Sequence, residues 1–513
     1  MKRFFAKVGR FFWSWGCLKF VLWTVTLIVL FYVEEDWRGA RAWAATKAEW
    51  EAKGESFDLN KLIPPPVPDD QNLAAIPLFK MEPAKDDKGN SDLEPVALRR
   101  AMRTGPPNYE LPSRGDWMRG ELPDMAKIKN AIAADYSAAF KGATPPGDTL
   151  AQFDARYPFL TDFLAESANH PLCRFNPDYT TFLTGGGTRW LLIDQIPLSY
   201  FLTLQAILAL DQHQSDLALE DIKTNFKLLS SLREQPLLVS GLCAIGVASA
   251  NFSAVYDGLA LHAWNDTQLA DLEKELAKID FLSDYQHDLR GEAIGVVIPS
   301  WDDFKGHSSR FATALKRSSE AGSKSGNQDF FPDFWADGWF DLVKAQAVTF
   351  DLNAVGFVDP KARLVFPKTV DQFAAEIAQR RHGWSAHTLS GIFTSEAAGF
   401  IAFQVEKFSR MQVWVDEARI ASALERYRLA HNAYPDSLDA LVPACIDEVP
   451  HDIMNGQPYH YRLRPDGTYL LYSVGWNQTD DGGKVVYKKD APAQVDYKEG
   501  DWVWPTPQAA PAK

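Results

Sequence analysis

The stretch Tyr434-Pro-Asp-Ser-Leu-Asp-Ala-Leu-Val442, followed by Tyr459-His-Tyr461 and Tyr472-Ser-Val-Gly-Trp-Asn-Gln-Thr-Asp-Asp-Gly-Gly483, decides the reading of the C-terminal part. Ahead of it, Glu396 to His431 carries Val405, Phe408, Met411, Val415 and Leu424 along one broad apolar face, the spacing of an amphipathic helix. Tyr434-Pro435 stops that helix, because proline lacks an N–H and its ring clashes with the preceding turn. Gln457–Leu463 and Thr468–Ser473 flank Pro465-Asp-Gly467 and read as a hairpin about a glycine turn. Lys484–Lys488 offers a last strand. The Pro/Ala-rich chain after Lys489 is expected to fray. The pattern is an α+β module over 394–489 with a disordered tail over 490–513.

Upstream, the chain reads as a helical array. Leu198, Phe201, Leu202 and Leu208 mark a helix ending near Gln212, and Ser215 is the expected N-cap of the next, with Leu219, Ile222, Phe226 and Leu229 on its face. Pro236 opens an almost uncharged helix through Leu259. Its length would span a bilayer, but Ser240, Ser249, Asn251 and Ser253 and its place in the array favour a core helix. Asn265 with Gln268 forms a capping-box signature for the helix that follows. The pairs show no fixed period, so an irregular helical domain over 117–393 is expected rather than a solenoid. Phe330–Phe340 is dense in aromatics and reads as an anchor of a loop to the core.

At the other end, Phe20–Val33 is uncharged and mostly apolar. With the aromatics before it, this approaches the roughly 20 residues a bilayer requires. Lys2, Arg3, Lys7, Arg10 and Lys19 precede or enter the run, and Glu34-Glu-Asp36 follows. The positive-inside rule then places the N-terminus in the cytoplasm and the body outside. Ala40-Arg-Ala42 lies too far beyond the run for a cleaved signal, so an uncleaved anchor is expected. Residues 1–54 therefore read as cytoplasmic tip, transmembrane helix and outward extension, and 55–116 as a Pro-rich linker around Leu62-Ile-Pro-Pro-Pro-Val-Pro-Asp-Asp70.

The 513 residues carry a net charge of −14, and setting aside the five basic residues at the N-terminal end leaves −19 on the remainder. Such a body repels phosphates and argues against nucleic acid. Cys17, Cys173, Cys243 and Cys445 are too widely spaced for a zinc or redox motif and are expected as free, buried thiols. There is no phosphate loop, GxSxG or HExxH pattern, and His382, His387 and His451 read as structural or solvent-facing. Asn477, Asp480 and Asp481 place oxygen atoms in a Gly-rich turn, the hard-ligand chemistry calcium prefers.

The Tyr-Pro…Leu…Leu, Pro-Tyr-His-Tyr and Tyr-Ser-Val-Gly-Trp-Asn…Asp-Asp-Gly-Gly elements over about 416–483 resemble the globular domain of type II secretion major pseudopilins. That resemblance implies a structural, assembly-type module and a calcium loop at Asn477, Asp480 and Asp481. It does not extend to the N-terminus, where Val21 stands at the position a prepilin gives to glutamate. The Pro-rich run after a single span, with the helical region and module behind it, resembles a family of membrane-anchored proteins of Verrucomicrobia and Planctomycetes and implies no activity.

The expected fold class is mainly α, with a single N-terminal transmembrane helix, an irregular helical domain and a small α+β module. The expected role is structural or interaction-based at the cell envelope, with protein partners there. The alternatives are an envelope hydrolase with its site in the helical domain, for instance on carboxylates around Glu292, and an accessory of a secretion apparatus.

Overall fold

A computed structural model describes residues 15–85, 91–103, 116–176, 188–307, 309–311, 313, 335–379, 386–491 and 494–506. It is mainly helical, as expected, and the described residues form four small antiparallel sheets, two of them outside the C-terminal region. The chain divides into two compact units, one of Met1–Lys61, Glu292–Asn353 and Ile377–Glu396, the other of Leu62–Gly291, Ala354–Glu376 and Ala397–Lys513.

The first unit is organised on a helix of 38 residues, Trp15–Ala52. Among the described residues, three helices are long and apolar enough to cross a membrane, but they differ in burial. The apolar window of Trp15–Ala52 is 6% buried, against 72% for Leu192–Asp211 and Leu238–Ala260. Phe20, Trp23, Leu27 and Leu30 stand exposed along it. The hydroxyls of Thr24 and Thr26 donate to the carbonyls of Phe20 and Leu22 at 2.9 and 2.8 Å, so the polar groups within the run are satisfied inside the helix, as a bilayer demands.

Beyond Val33 the same helix becomes a packing element. Glu35 accepts from Trp339 Nε1 at 2.8 Å and Asp36 from the Gly338 N–H at 2.8 Å. Gly39 lies so close to Gly338 that a Cβ there would come within 2.0 Å of the Gly338 carbonyl oxygen. The partner helix Asp337–Ala354 places Lys344 over Trp43, with its ammonium 2.8 Å from Asp341 and 2.5 Å from Asp302. Trp335 and Phe340 pack with Trp301 and Phe311, centroids 5.0 to 6.4 Å apart, which bears out the core reading for the described part of that aromatic run.

In the second unit, the helices Thr188–Asp211, Ser215–Arg233 and Leu238–Ala260 pack on one another. Asn251 of the third belongs to a buried polar network. Asn225 Nδ2 reaches Ser199 O, Thr203 Oγ1 and Asn251 Oδ1 at 3.3 to 3.4 Å, and Asn251 donates to Ile222 O. Asn265 and Gln268 form both halves of the capping box at 3.0 and 2.9 Å. Ser215 is not an N-cap. It is the first helical residue, after Gln214, and its hydroxyl accepts from Gln268.

Three boundaries differ from expectation. The supposed linker docks onto the body. Leu73, Ile76 and Phe79 are buried at intervals of three through short 3₁₀ turns, and Phe79 meets Phe163 and Phe175 edge-on. Asn72 fixes this path by bonding Arg174 O and N at 2.9 and 2.8 Å. Nor does the module expected over 394–489 stand apart from the helical array. From Ala397 on, the helix Ala386–His431 belongs with the helical array, with Phe408 between Phe281 and Tyr285 and Gln412 accepting from Phe281 N. Finally, the tail is structured through Thr506. Val495–Gly500 pairs with Val485–Tyr487, and Trp502–Val503 joins the predicted hairpin, His460–Leu463 with Tyr469–Ser473, as its third strand. Apolar and aromatic residues near the end, Trp502 and Trp504, outweigh the prolines around them.

Candidate functional site

The helix Leu238–Ala260 ends in a left-handed residue, His262, at φ 53°. Ala263 N closes on Gly258 O at 2.9 Å, which satisfies the helix end but asks a non-glycine residue to hold a conformation that costs free energy. The result is a fixed imidazole. His262 Nδ1 donates to Glu425 on the Ala386–His431 helix at 2.8 Å. Arg428, one turn on, grips the same carboxylate through Nε and Nη2 at 2.8 and 2.6 Å, and Tyr434 OH donates to it at 3.0 Å. Burial works to raise the Glu425 carboxyl, but the bonds from Arg428 and His262 outweigh it and carry it down to about 2.

This constellation lines a cavity of about 380 Å³. Tyr256 and Leu259 form one wall, the turn Asp466–Tyr469 a second, and Trp504 to Thr506 a third. Asp466 Oδ1 accepts the N–H and hydroxyl of Thr468 at 3.0 and 2.6 Å. Tyr256 is 1% exposed and its hydroxyl meets no hydrogen-bond partner. Such a buried phenol normally finds one. The residues come from four separated parts of the sequence, and the Arg428 and Tyr434 of the quoted region gave no sign of the histidine 163 positions before Glu425 that completes them.

A second cavity, of about 460 Å³, contains Lys227. Burial lowers its ammonium, the usual mark of a general base. Yet Lys227 donates to the carbonyls of Ser167 and His170, at the end of the helix Phe159–Asn169, and so caps that helix.

The expected calcium ligands do not converge. Asp480 Oδ1 accepts from Tyr472 OH and Gly482 N, both at 2.9 Å, while Asp481 Oδ2 accepts from Asn477 Nδ2 at 3.1 Å. Asn477 Oδ1 is spent on Thr479 N. The loop is instead closed from the tail. The Asp501 carboxylate accepts the N–H groups of Asp481, Gly483 and Lys484 at 2.7 to 3.2 Å. As arranged, these residues do not fit a calcium site, and among the described residues no group of three or more His, Cys, Asp or Glu is placed to hold a metal ion.

Two further acid clusters are internal. Asp416 takes Arg363 Nη2 at 2.7 and 2.8 Å and Gln412, while Asp452 accepts from Ser473 and from the N–H groups of Met454 and Val474. Glu417 lies between them, and burial together with the charges of Asp452 and Asp416 raises its carboxyl well above the ordinary range. In the first unit, Glu292 opens a π-helical turn, Glu292–Val297, and its charge adds to the burial that raises Asp351. His451 bonds Arg363 O, a structural role, while His382 lies outside the described residues. All four cysteines are buried, and none is in a disulfide.

No protein-family model, no curated protein and no solved structure matches the chain.

Proposed function

We propose that the protein is a single-pass component of the inner (cytoplasmic) membrane, its N-terminus cytoplasmic and its body extracytoplasmic, with a structural or interaction role at the cell envelope. The observation that carries this reading is the exposed apolar half of the Trp15–Ala52 helix, set against two other long apolar helices that are buried. Leaving that surface in water would cost roughly 25 cal/mol per Å² of apolar area, which a bilayer removes. The basic residues before the run and Glu34-Glu-Asp36 after it support the orientation.

A long helix running into an antiparallel hairpin supports the pseudopilin-like reading of the C-terminal region, and with it a place beside a secretion apparatus. One observation favours a hydrolase instead, namely the imidazole of His262 held by Glu425 at the edge of a cavity. A bound carboxylate fixes the histidine tautomer that a general base needs.

The test is a reporter fused after Lys513 together with membrane fractionation. The proposal requires reporter activity only outside the cytoplasm and recovery of the full-length chain with membranes. Cytoplasmic activity, or a shortened soluble product, overturns it.

A further inference from the structure

We propose that Phe304, Trp335 and Trp339 seat the first unit in the lipid headgroup layer beside its own anchor, a second membrane contact made by residues as far as 304 positions beyond Glu35. This rests on the anchored reading above and adds to it a surface and a partner, the polar face of a bilayer.

Three observations carry it. The first is level. Trp15 to Val33 is 19 residues, which at 1.5 Å each rise about 29 Å, close to the roughly 30 Å of a hydrocarbon core. Phe31 then lies just inside the outer boundary and Glu35 just outside it. Trp339 joins the two, its ring edge-on to Phe31 at 6.3 Å and its Nε1 donating to Glu35 at 2.8 Å. An indole with one side on an apolar run and its N–H on a carboxylate has the placement that favours tryptophan at a membrane surface.

The second is direction. The Gly338 N–H bonds Asp36, whereas Lys344 stands over Trp43. The helix Asp337–Ala354 therefore runs outward beside the anchor, and its first turn is the end nearest the bilayer. Lys344 also pairs with Asp302, and Lys305 with Asp341. The helix Ile298–Gly306 therefore runs the other way and brings Phe304 down toward the same level.

The third is continuity. From Phe31 the rings pass through Trp339, Trp335 and Phe311 to Phe304, with successive centroids 5.0 to 6.3 Å apart. Phe311 is buried and holds the row in place, while Phe304, Trp335 and Trp339 are half-buried. The apolar surface of the anchor is thus extended sideways, and the bilayer that covers Phe31 meets the next rings in the row. Glu34 and Asp337 are exposed at this level, and a carboxylate in hydrocarbon is costly, so the rings reach the headgroups and go no deeper. Lys305 is held by Asp341 and Arg310 by Asp303, so the contact is apolar in kind and needs no anionic lipid.

The experiment uses the purified full chain in phosphatidylcholine vesicles that carry a trace of a diazirine phospholipid. The diazirine sits either near the glycerol backbone or at the end of an acyl chain. After photolysis, adducts are mapped by proteolysis and mass spectrometry. The expected result is shallow-probe adducts on Phe304, Trp335 and Trp339 and deep-probe adducts on Leu27. Neither probe should mark Glu49, which the rise of the helix puts about 21 Å beyond Glu35.

Adducts on Leu27 with none on the three rings overturn the proposal and leave the anchor standing. That result would mean a surface in water, or one kept for a protein absent from the vesicles. Labelling of the rings no heavier than that of Glu49 overturns it as well. If Leu27 takes no adduct from either probe, the anchored reading falls and the headgroup contact falls with it.

Discussion

Ending the chain at Lys489 tests the architecture of the second unit most severely. The Pro/Ala-rich composition beyond that point predicts a dispensable tail. The structure predicts collapse. Truncation removes Trp502 and Trp504, which are 3% and 4% exposed. Each indole buries about 200 Å². At about 25 cal/mol per Å² that is about 5 kcal/mol each, an upper figure because the unfolded chain already buries some of this area. The three N–H groups bonded to Asp501 are also released, at about 1.5–3 kcal/mol for a bond to a charged acceptor. Trp117 loses the Trp504 indole, 6.1 Å from its own. The sum is comparable to the whole stability of a typical domain, about 5–15 kcal/mol. The assay is near-UV circular dichroism with a thermal scan of the solubilised protein, supported by limited proteolysis. The truncated chain should lose its cooperative transition and its near-UV signal. A cooperative melt within a few degrees of the parent would refute the reasoning, and would mean that the two terminal strands contribute little of what their burial implies.

Three other changes follow from the same physics. Glu417 keeps its proton above the ordinary carboxyl range because of burial and its acidic neighbours, so its contribution is fully present at acid pH and is lost as pH rises from about 4.3 toward the raised folded value. Glu417→Gln should therefore stabilise the protein by about 1–3 kcal/mol at pH 8 and by less at pH 5, read from urea midpoints at the two values. Glu425 has the opposite sign. Its carboxyl is depressed to about 2, so its contribution is present above about 4.3 and is lost as pH falls toward 2, and Glu425→Gln should flatten that acid limb in a pH series of melting temperatures. Gly258→Ala gains helix propensity worth about 1 kcal/mol. However, its Cβ would lie 2.2 Å from Cε2 and Nε1 of the buried Trp264, so overpacking wins, and a net loss of about 1–3 kcal/mol should appear in the melting curve.

What could be read in the sequence was local. The uncharged run to Val33, the Asn265/Gln268 capping box and the Pro465-Asp-Gly467 turn each declare themselves within a few residues, and each is present. What was missed depends on distance or on a weak period. Leu73, Ile76 and Phe79 repeat every three residues, too briefly to stand out beside Leu62–Asp70, whose prolines dominate the reading. Trp502 and Trp504 lie among prolines and a charged strand, and nothing nearby names the Tyr472–Ser473 edge they join. The candidate site shows the same limit. Glu425 and Arg428 sit one turn apart on a predicted helix, but His262 reaches them only through the fold, and the unpartnered hydroxyl of Tyr256 is a property of packing that no residue pattern contains. The loop around Asp480 and Asp481 shows the same limit, because the carboxylate of Asp501 that closes it lies in the segment read as tail.

The contact of Gly39 with Gly338 has a mechanical consequence. At 1.5 Å per residue a helix of 38 residues is about 57 Å long, while a bilayer core takes up about 30 Å. The remainder continues without a break, and two glycines bring its backbone against a neighbour with no side chain between them to yield. With its apolar half seated in a bilayer as proposed, such a helix would behave as a stiff mast rather than a tether. A tilt imposed on the apolar half by a thinner or thicker bilayer is carried along the helix and arrives at the Gly39–Gly338 joint as a sideways displacement, where Trp339 and Lys344 must follow it.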